Sequence, residues 1–203
     1  MFAFLVPLSS ALFVSGRNVL IRTLRHRVAR TGILLSNFAV TAVLSIVVLA
    51  FVLPERVEPA FFWAVPISTS ALLLGRFALI TALSSATLSS TVPLIAFAPL
   101  FISLTSFIVL GEAITLVGLV GILAVVTGSY LRRIRSARAG ILEPVRVLAR
   151  ERGARMMLLA ALCFSVAAPF AKLAIRASTI YVAFATAQIL GFAMLSFWLL
   201  VRG

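Results

Sequence analysis

The sequence predicts an all-α fold, a multi-pass transmembrane bundle of about seven helices, and two observations carry this prediction. Apolar residues make up 63% of the 203 residues, and the mean hydropathy is +1.20, whereas soluble domains contain roughly 45–50% apolar residues. The apolar residues also occur in long runs without a charged residue, separated by clusters of arginine. Because a soluble fold cannot bury this much apolar surface, we expect the lipid bilayer to be the solvent.

The number of helices follows from the lengths of these runs. Residues 77–111 form an uncharged run of 35 residues, which at about 1.5 Å per residue is too long for one crossing of a core about 30 Å thick. We place a turn near Ser84 and Ser85, since serine clusters favour turns. The first run is interpreted as a transmembrane helix and not a signal peptide, because residues 1–4 carry no positive charge. The predicted helices are 2–21, 33–53, 61–82, 87–110, 114–131, 156–175 and 179–201.

The net charge of +13 comes mainly from arginines in the connecting segments. Most of them follow the first predicted helix or lie in 132–155, and alternating helices place both segments on one side of the bilayer. The positive-inside rule makes that side cytoplasmic. We therefore predict a cytoplasmic linker at 132–155, an N-terminus outside, and localisation in the cell (plasma or inner) membrane. Orientation and anionic headgroups explain this charge better than nucleic acid does, so no nucleic-acid partner is expected.

The composition offers little for catalysis. All five acidic residues are glutamate, and the chain has a single histidine, His26, and a single cysteine, Cys163. An internal disulfide is therefore impossible, no cluster has the spacing of metal ligands, and no P-loop pattern occurs. Intramembrane enzymes usually need clustered Asp, His or Cys side chains. We expect no enzyme activity, no metal and no cofactor.

Two parts of the chain resemble each other at an offset of 150 residues. Because five predicted helices precede the second part, it would enter the membrane from the opposite face. This is the arrangement of inverted repeats in secondary transporters, whose sites lie near the midplane between the repeats. The matched positions are Ala11, Leu12, Ser15 and Arg22 in the first part and Ala161, Leu162, Ser165 and Lys172 in the second.

A Gly-Glu pair separates the fourth and fifth predicted helices. Gly111 permits a close turn, and the Glu112 carboxylate can accept hydrogen bonds from the free amides at the start of the next helix. Small residues including Gly121 and Gly128 share one face of that helix, which lets helices approach closely in lipid. We interpret these four residues as a structural corner, and expect Glu112 to be structural and not a substrate or proton site.

These residues resemble the EamA-type members of the drug/metabolite transporter superfamily. The resemblance covers about residues 8–195 and implies ten helices in two inverted five-helix repeats around a central cavity. It implies a first repeat at 1–131, the linker 132–155, and the first two helices of a second repeat at 156–203. We expect the chain to be an incomplete copy, since three family helices have no counterpart in it. The matching elements are 82–91 with Pro93, Pro99-Leu100-Phe101, Leu110-Gly111-Glu112, Gly121, Gly128, 153–158 and 161–173.

The candidate cavity residues are the polar and helix-bending residues within the predicted spans. Charged groups at membrane depth face cavities by default. Alternatively, a long charged side chain extends to the membrane interface. A proline leaves a backbone carbonyl without its helical partner, and such a carbonyl is tolerated where it faces protein or a water-filled cavity. Alternatively, the proline only bends the helix for packing. Serines more often bond a neighbouring helix than a ligand. The candidates are Ser15, Arg17, Asn18, Arg76, Ser90, Pro93, Pro99, Ser165 and Pro169. Lys172 and Arg176 are expected to reach the interface.

The function that the resemblance implies is a secondary transporter or exporter of a small metabolite, working by alternating access. Two alternatives stay open: a flippase-like carrier of a lipid-linked sugar, and an accessory membrane protein without transport. The expected partners are the lipid bilayer and a small-molecule substrate. A second copy of the chain or a complementing membrane protein would complete the cavity.

Overall fold

The computed structural model describes residues 16, 30–52, 56–85, 97–137 and 151–202, and over these residues it is all-α, with no strand. The all-α class is therefore confirmed over these residues, whereas the count of about seven helices and the inverted repeat stay predictions. The first predicted helix lies outside the described residues except for position 16. The described helices are α1 (Arg30–Phe51), α2 (Ala60–Ser85), α3 (Ala98–Leu110), α4 (Leu116–Ala137), α5 (Arg152–Arg176) and α6 (Ile180–Arg202).

Four helices are long and apolar enough to cross a membrane. They contain spans of 21 to 25 residues, which at about 1.5 Å per residue cover the hydrocarbon core. Many of their large apolar side chains are exposed, with Phe51 at 85% and Leu200 at 82%. Lipid tolerates such surfaces and water does not. The spans are Thr31–Phe51, Ala60–Ser84, Arg152–Arg176 and Ile180–Val201.

The predicted helix limits agree with α1, α2, α5 and α6 to within four residues at each end. The fourth predicted helix, 87–110, is described only from residue 97 onwards, and there the helix begins at Ala98. The described part of α2 is helical through Ser85, where the sequence places a turn. The segment that follows, 86–96, lies outside the described residues.

Helices α2 and α5 are antiparallel and pack along their whole length. At one end Phe61 shares a buried cluster with Ala174, and at the other end Ala82 packs with Met157. Between them Gly75 lies against the ring of Phe164. The first of these ends, called end A below, also contains the hydrogen bond from the Glu58 amide to the Ala177 carbonyl, at 2.8 Å. This bond joins the α1–α2 connection to the α5–α6 connection.

Helices α1 and α6 form a second antiparallel pair. The side chain of Phe38 is completely buried, and its ring fills the space beside Gly191. Leu34 and Leu195 belong to the same buried cluster. A Cβ atom at position 191 would lie 2.5 Å from Cε1 of Phe38, so only glycine lets the two helices approach this closely.

Helix α3 packs beside α5 and is held there by a hydrogen bond to a backbone carbonyl group that lacks its usual helical partner. Pro169 has no N–H, so the carbonyl of Ser165, four residues earlier, lacks its usual helical partner. The Thr105 hydroxyl on α3 donates to that carbonyl oxygen at 2.6 Å. A group that proline frees within the apolar layer is thereby satisfied from a neighbouring helix, as lipid surroundings require.

This arrangement predicts a specific rescue. Replacing Thr105 by valine should destabilise the protein by about 1–2 kcal/mol, because the Ser165 carbonyl is left unpaired. Adding Pro169→Ala restores an N–H to that carbonyl, so Thr105→Val should cost much less in the double variant. Thermal unfolding in detergent measures both values, with Thr105→Ser as the control that keeps the hydroxyl. If Thr105→Val lowered the free energy of unfolding equally with and without Pro169, the hydrogen bond from Thr105 to the Ser165 carbonyl would be contradicted.

Candidate functional site

A cavity of about 430 Å³ lies between α2, α5 and α6, with Ile102 of α3 at its side. Small side chains create this space, because most of the wall that α5 and α6 contribute is alanine. The volume falls in the range of small-molecule sites, roughly 300–1,000 Å³. The alanines that line the cavity are Ala167, Ala168, Ala171, Ala174, Ala183 and Ala187.

Four polar side chains interrupt this apolar wall, namely Ser68, Thr69, Arg76 and Gln188. Ser68 donates to the Val65 carbonyl of its own helix at 2.9 Å. Thr69 and Gln188 are 1% and 4% exposed, and neither the Thr69 hydroxyl oxygen nor the Gln188 carboxamide oxygen has a hydrogen-bond partner among the described residues. Buried polar atoms are nearly always paired, so two such atoms beside one cavity make it a candidate binding site.

Arg76 lines the cavity, as the sequence predicts for a charged residue within a span. Its Nη1 donates to Oδ1 of Asn37 on α1 at 3.0 Å, and its Cζ lies 4.8 Å from the centre of the Phe38 ring. The amide dipole and the ring face both stabilise the guanidinium charge away from water. Arg76 therefore also joins α2 to α1, which the sequence does not reveal.

The other predicted cavity residues are placed differently. Ser165 and Pro169 are almost fully buried and do not line the described cavity; they belong to the contact with Thr105. Pro99 lies in the first turn of α3, where its missing N–H breaks no helical bond. The predicted sites that lie outside the described residues are Ser15, Arg17, Asn18, Ser90 and Pro93.

The Gly-Glu corner has the geometry of a helix stop. Gly111 ends α3 with φ +68°, and its amide donates to the Phe107 carbonyl at 3.0 Å. A left-handed φ is the reason for glycine here, since no described atom lies within 4 Å of where its Cβ would be. The start of α4 is capped by Thr115, whose hydroxyl oxygen accepts from the Gly118 amide at 3.2 Å.

Glu112 makes its described contacts with α5 and not with the start of α4. Its carboxylate accepts from Nζ of Lys172 at 2.7 Å and from Nη2 of Arg176 at 2.5 Å. The two cations that the sequence assigns to the interface are therefore half-exposed ion-pair partners. The pKa of Glu112 lies below its ordinary value near 4.5, because Lys172 donates a hydrogen bond to it and because both cations attract and bond its carboxylate. These effects outweigh desolvation, which acts in the opposite direction. The bridge ties the α3–α4 corner to end A of α5.

This bridge gives a pH-dependent prediction. Because the pKa of Glu112 is lower in the folded protein, its stabilisation is complete above the ordinary value and is lost as the pH falls through the lowered one. The melting temperature of wild type should exceed that of Glu112→Gln at pH 7, and the difference should shrink below about pH 4.5 and vanish once the pH is below the lowered pKa. Glu58→Gln, an exposed carboxylate at the same end, serves as the control. A difference that persists unchanged into acid would contradict the ion pair.

The small-residue face of α4 is open in the described part of the protein. No described atom lies within 4 Å of a Cβ built at Gly121 or Gly128, and the side chains of Val117 and Val120 are well exposed. The extensive contacts among the described helices join α2 with α5, α1 with α6, and α3 with α5. Close packing against Gly121 and Gly128 therefore stays a prediction.

Sequence reasoning missed the residues that give the cavity its polar character. Thr69 lies between two serines, and Gln188 is the single amide within the uncharged run of α6. An uncharged amide within a span is itself a signal for a helix contact or a binding group. Asn37, the partner of Arg76, has the same signature in α1. Among the described residues, His, Cys, Asp and Glu do not gather in threes as metal ligands would.

Comparisons with protein-family models, with curated proteins and with solved structures find no match for this chain. The cavity, its two unpaired polar atoms and the four long apolar helices are the observations on which a functional proposal rests.

Proposed function

We propose that this chain is an EamA-type member of the drug/metabolite transporter superfamily and carries a small metabolite across the membrane by alternating access. The observation that carries the proposal is the cavity between α2, α5 and α6. Its polar atoms lie at mid-length of helices whose surroundings are otherwise apolar. Polar groups at membrane depth mark solute pathways by default.

The depth of these groups supports a transport site. Thr69 is nine residues after the start of α2, and Gln188 is eight residues after the start of α6. Both helices start at end A, so at about 1.5 Å per residue the two side chains lie roughly 12–14 Å into the bundle. This is close to the middle of a core about 30 Å thick, where secondary transporters bind their solutes.

The helix pairing supports inverted repeats. In the proposed seven-helix scheme α1 is the second helix of the first repeat and α6 is its counterpart in the second. Their antiparallel contact at Phe38 and Gly191 is the relation expected for such a pair. In this proposal the linker 132–155 is cytoplasmic, and end A, with Glu112, Lys172 and Arg176, faces outward.

A release assay that does not presuppose the substrate tests this function. Proteoliposomes containing the full chain are loaded with a mixture of small metabolites, and mass spectrometry follows which of them leave faster than from protein-free vesicles. At least one should do so. Ala171→Leu should abolish that release, because leucine fills the cavity, whereas Ala193→Leu, on an exposed position of α6, should not. Release equal to that of empty vesicles for every solute, or full activity of Ala171→Leu, would refute the proposal.

The same assay decides the role of Arg76. Arg76→Leu removes the charge from the cavity wall together with the hydrogen bond to Asn37, and release should fall severalfold. Arg76→Lys keeps the charge but not the planar donor geometry, so it should be intermediate. Unchanged release by Arg76→Leu would remove Arg76 from the transport site.

A further inference from the structure

The Thr69 hydroxyl departs from what its neighbours do. Serine and threonine hydroxyls in helices commonly donate to a carbonyl three or four residues earlier. Ser68 does so to Val65 and Ser70 does so to Pro66, at 2.9 and 2.7 Å. Thr69, between them, is 1% exposed, and its hydroxyl oxygen has no partner in the part of the chain that the structure describes. Ser68 already donates to the Val65 carbonyl four residues before Thr69, and the Thr69 hydroxyl is left without a described partner beside the cavity.

Gln188 presents the same situation from the opposite helix. Its side chain is 4% exposed and lines the same cavity, and its carboxamide oxygen has no partner within the described ranges. The unpaired Gln188 atom is the carboxamide oxygen, which can only accept, so it requires a donor on the bound group. The Thr69 hydroxyl can both donate and accept. The two groups lie at similar depth, in a wall that is apolar apart from them, Ser68 and Arg76.

We propose that the cavity binds a small, uncharged, mostly apolar molecule through one donor–acceptor group, such as a carboxamide or a hydroxyl, that hydrogen-bonds Thr69 and Gln188 together. This inference rests on the proposed function, since it names the class of solute that the transport cavity takes. A single group of this kind satisfies both buried atoms, and the alanines of α5 and α6 provide the apolar surface for the rest of the molecule.

The bound group is uncharged in this proposal, because the two side chains that would contact it are both neutral. Thr69 and Gln188 are neutral and lie at the middle of the apolar layer. An ionised group beside them would be stripped of water without gaining a counter-charge from either. Arg76 lines the same cavity but follows Thr69 by seven residues on α2, about 10 Å along the helix axis.

Equilibrium binding of three matched probes tests the proposal. The full chain in nanodiscs is titrated with benzamide, with acetophenone, which replaces the amide NH₂ by a methyl group, and with benzoate, which is charged. Protein-free nanodiscs correct for partitioning into lipid. Benzamide should bind at least about tenfold more tightly than acetophenone, because acetophenone cannot satisfy an acceptor, and more tightly than benzoate. Thr69→Val and Gln188→Met, which preserve side-chain size, should remove the preference for benzamide. Ser70→Ala, on the same helix and outside this cavity, should keep it.

Thermal unfolding without probe excludes a merely structural explanation. Since Thr69→Val and Gln188→Met remove unpaired buried atoms, the melting temperature should rise by a few degrees. A fall in melting temperature in both variants, equal binding of benzamide and acetophenone, or tighter binding of benzoate would each overturn the proposal. If metabolites are released but the probes are not distinguished, the solute class is wrong and transport stands. If benzamide is recognised through Gln188 but no metabolite is released, the site stands and transport is wrong.

Discussion

Replacing Gly191 by alanine is expected to destabilise the protein by about 1–3 kcal/mol, although alanine is the better helix former. The added Cβ would lie 2.5 Å from Cε1 and 2.9 Å from Cδ1 of Phe38. The Phe38 side chain has no exposed surface, so the ring cannot move aside without separating α1 from α6. Thermal unfolding in detergent, where 1 kcal/mol corresponds to roughly 2–4 °C for a chain of this size, measures the loss.

A second substitution should rescue this variant. Phe38→Leu shortens the side chain that meets position 191, so the double variant should be more stable than the sum of the two single losses predicts. Ala193→Leu, which adds a larger side chain at an exposed position of the same helix, is the control and should be nearly neutral. If Gly191→Ala were as stable as Ala193→Leu, the close contact of α1 with α6 would be wrong. Because Phe38 also supports the Arg76 guanidinium, we expect the Gly191 variant to impair transport as well.

Replacing Gly75 by leucine should have the second large effect, and here stability and function should fall together. A Cβ at position 75 would lie 2.7 Å from Cε1 of Phe164 and 3.1 Å from Cβ of Cys163. Overpacking at this crossing of α2 and α5 should cost about 1–3 kcal/mol. Phe164 is also part of the cavity wall, so a displaced ring would enter the space that the solute needs.

Binding and stability measured on the same variants separate these two consequences. Gly75→Leu should lose benzamide binding even at temperatures where it is folded, whereas Gly191→Ala should weaken binding less, since Gly191 does not line the cavity. Ala193→Leu, on an exposed position of α6, should leave both unchanged. A Gly75→Leu variant with normal melting temperature and normal binding would show that α2 and α5 do not meet at this point.

Much of the architecture follows from the sequence, because hydropathy is summed over residues that are adjacent in the chain. The uncharged runs gave the limits of α1, α2, α5 and α6 to within a few residues. The Gly-Glu pair marked the end of α3, since only a residue without a Cβ adopts the φ of +68° found at Gly111 without strain. Arg76 could be selected as a cavity residue because a charge within a span needs protein or water around it.

Other expectations could not be made from the sequence, because they depend on which helix faces which. Glu112 was expected to bind the start of α4, but the partners that hold it are Lys172 and Arg176, sixty or more residues away. Ser165 and Pro169 read as cavity residues, yet the carbonyl that Pro169 frees is taken by Thr105. A proline shows that a partner is needed and does not show where the partner comes from.

The sequence by itself determined the solvent, the helical class and the approximate limits of four long apolar helices, since each depends on residues adjacent in the chain. Only the tertiary structure decided that Thr69 and Gln188 share one cavity and that Phe38 meets Gly191. In lipid, where apolar side chains gain little by leaving the solvent, helix pairing depends on close packing and on a few hydrogen bonds. Those contacts join distant segments, and the local pattern of apolar residues does not encode them.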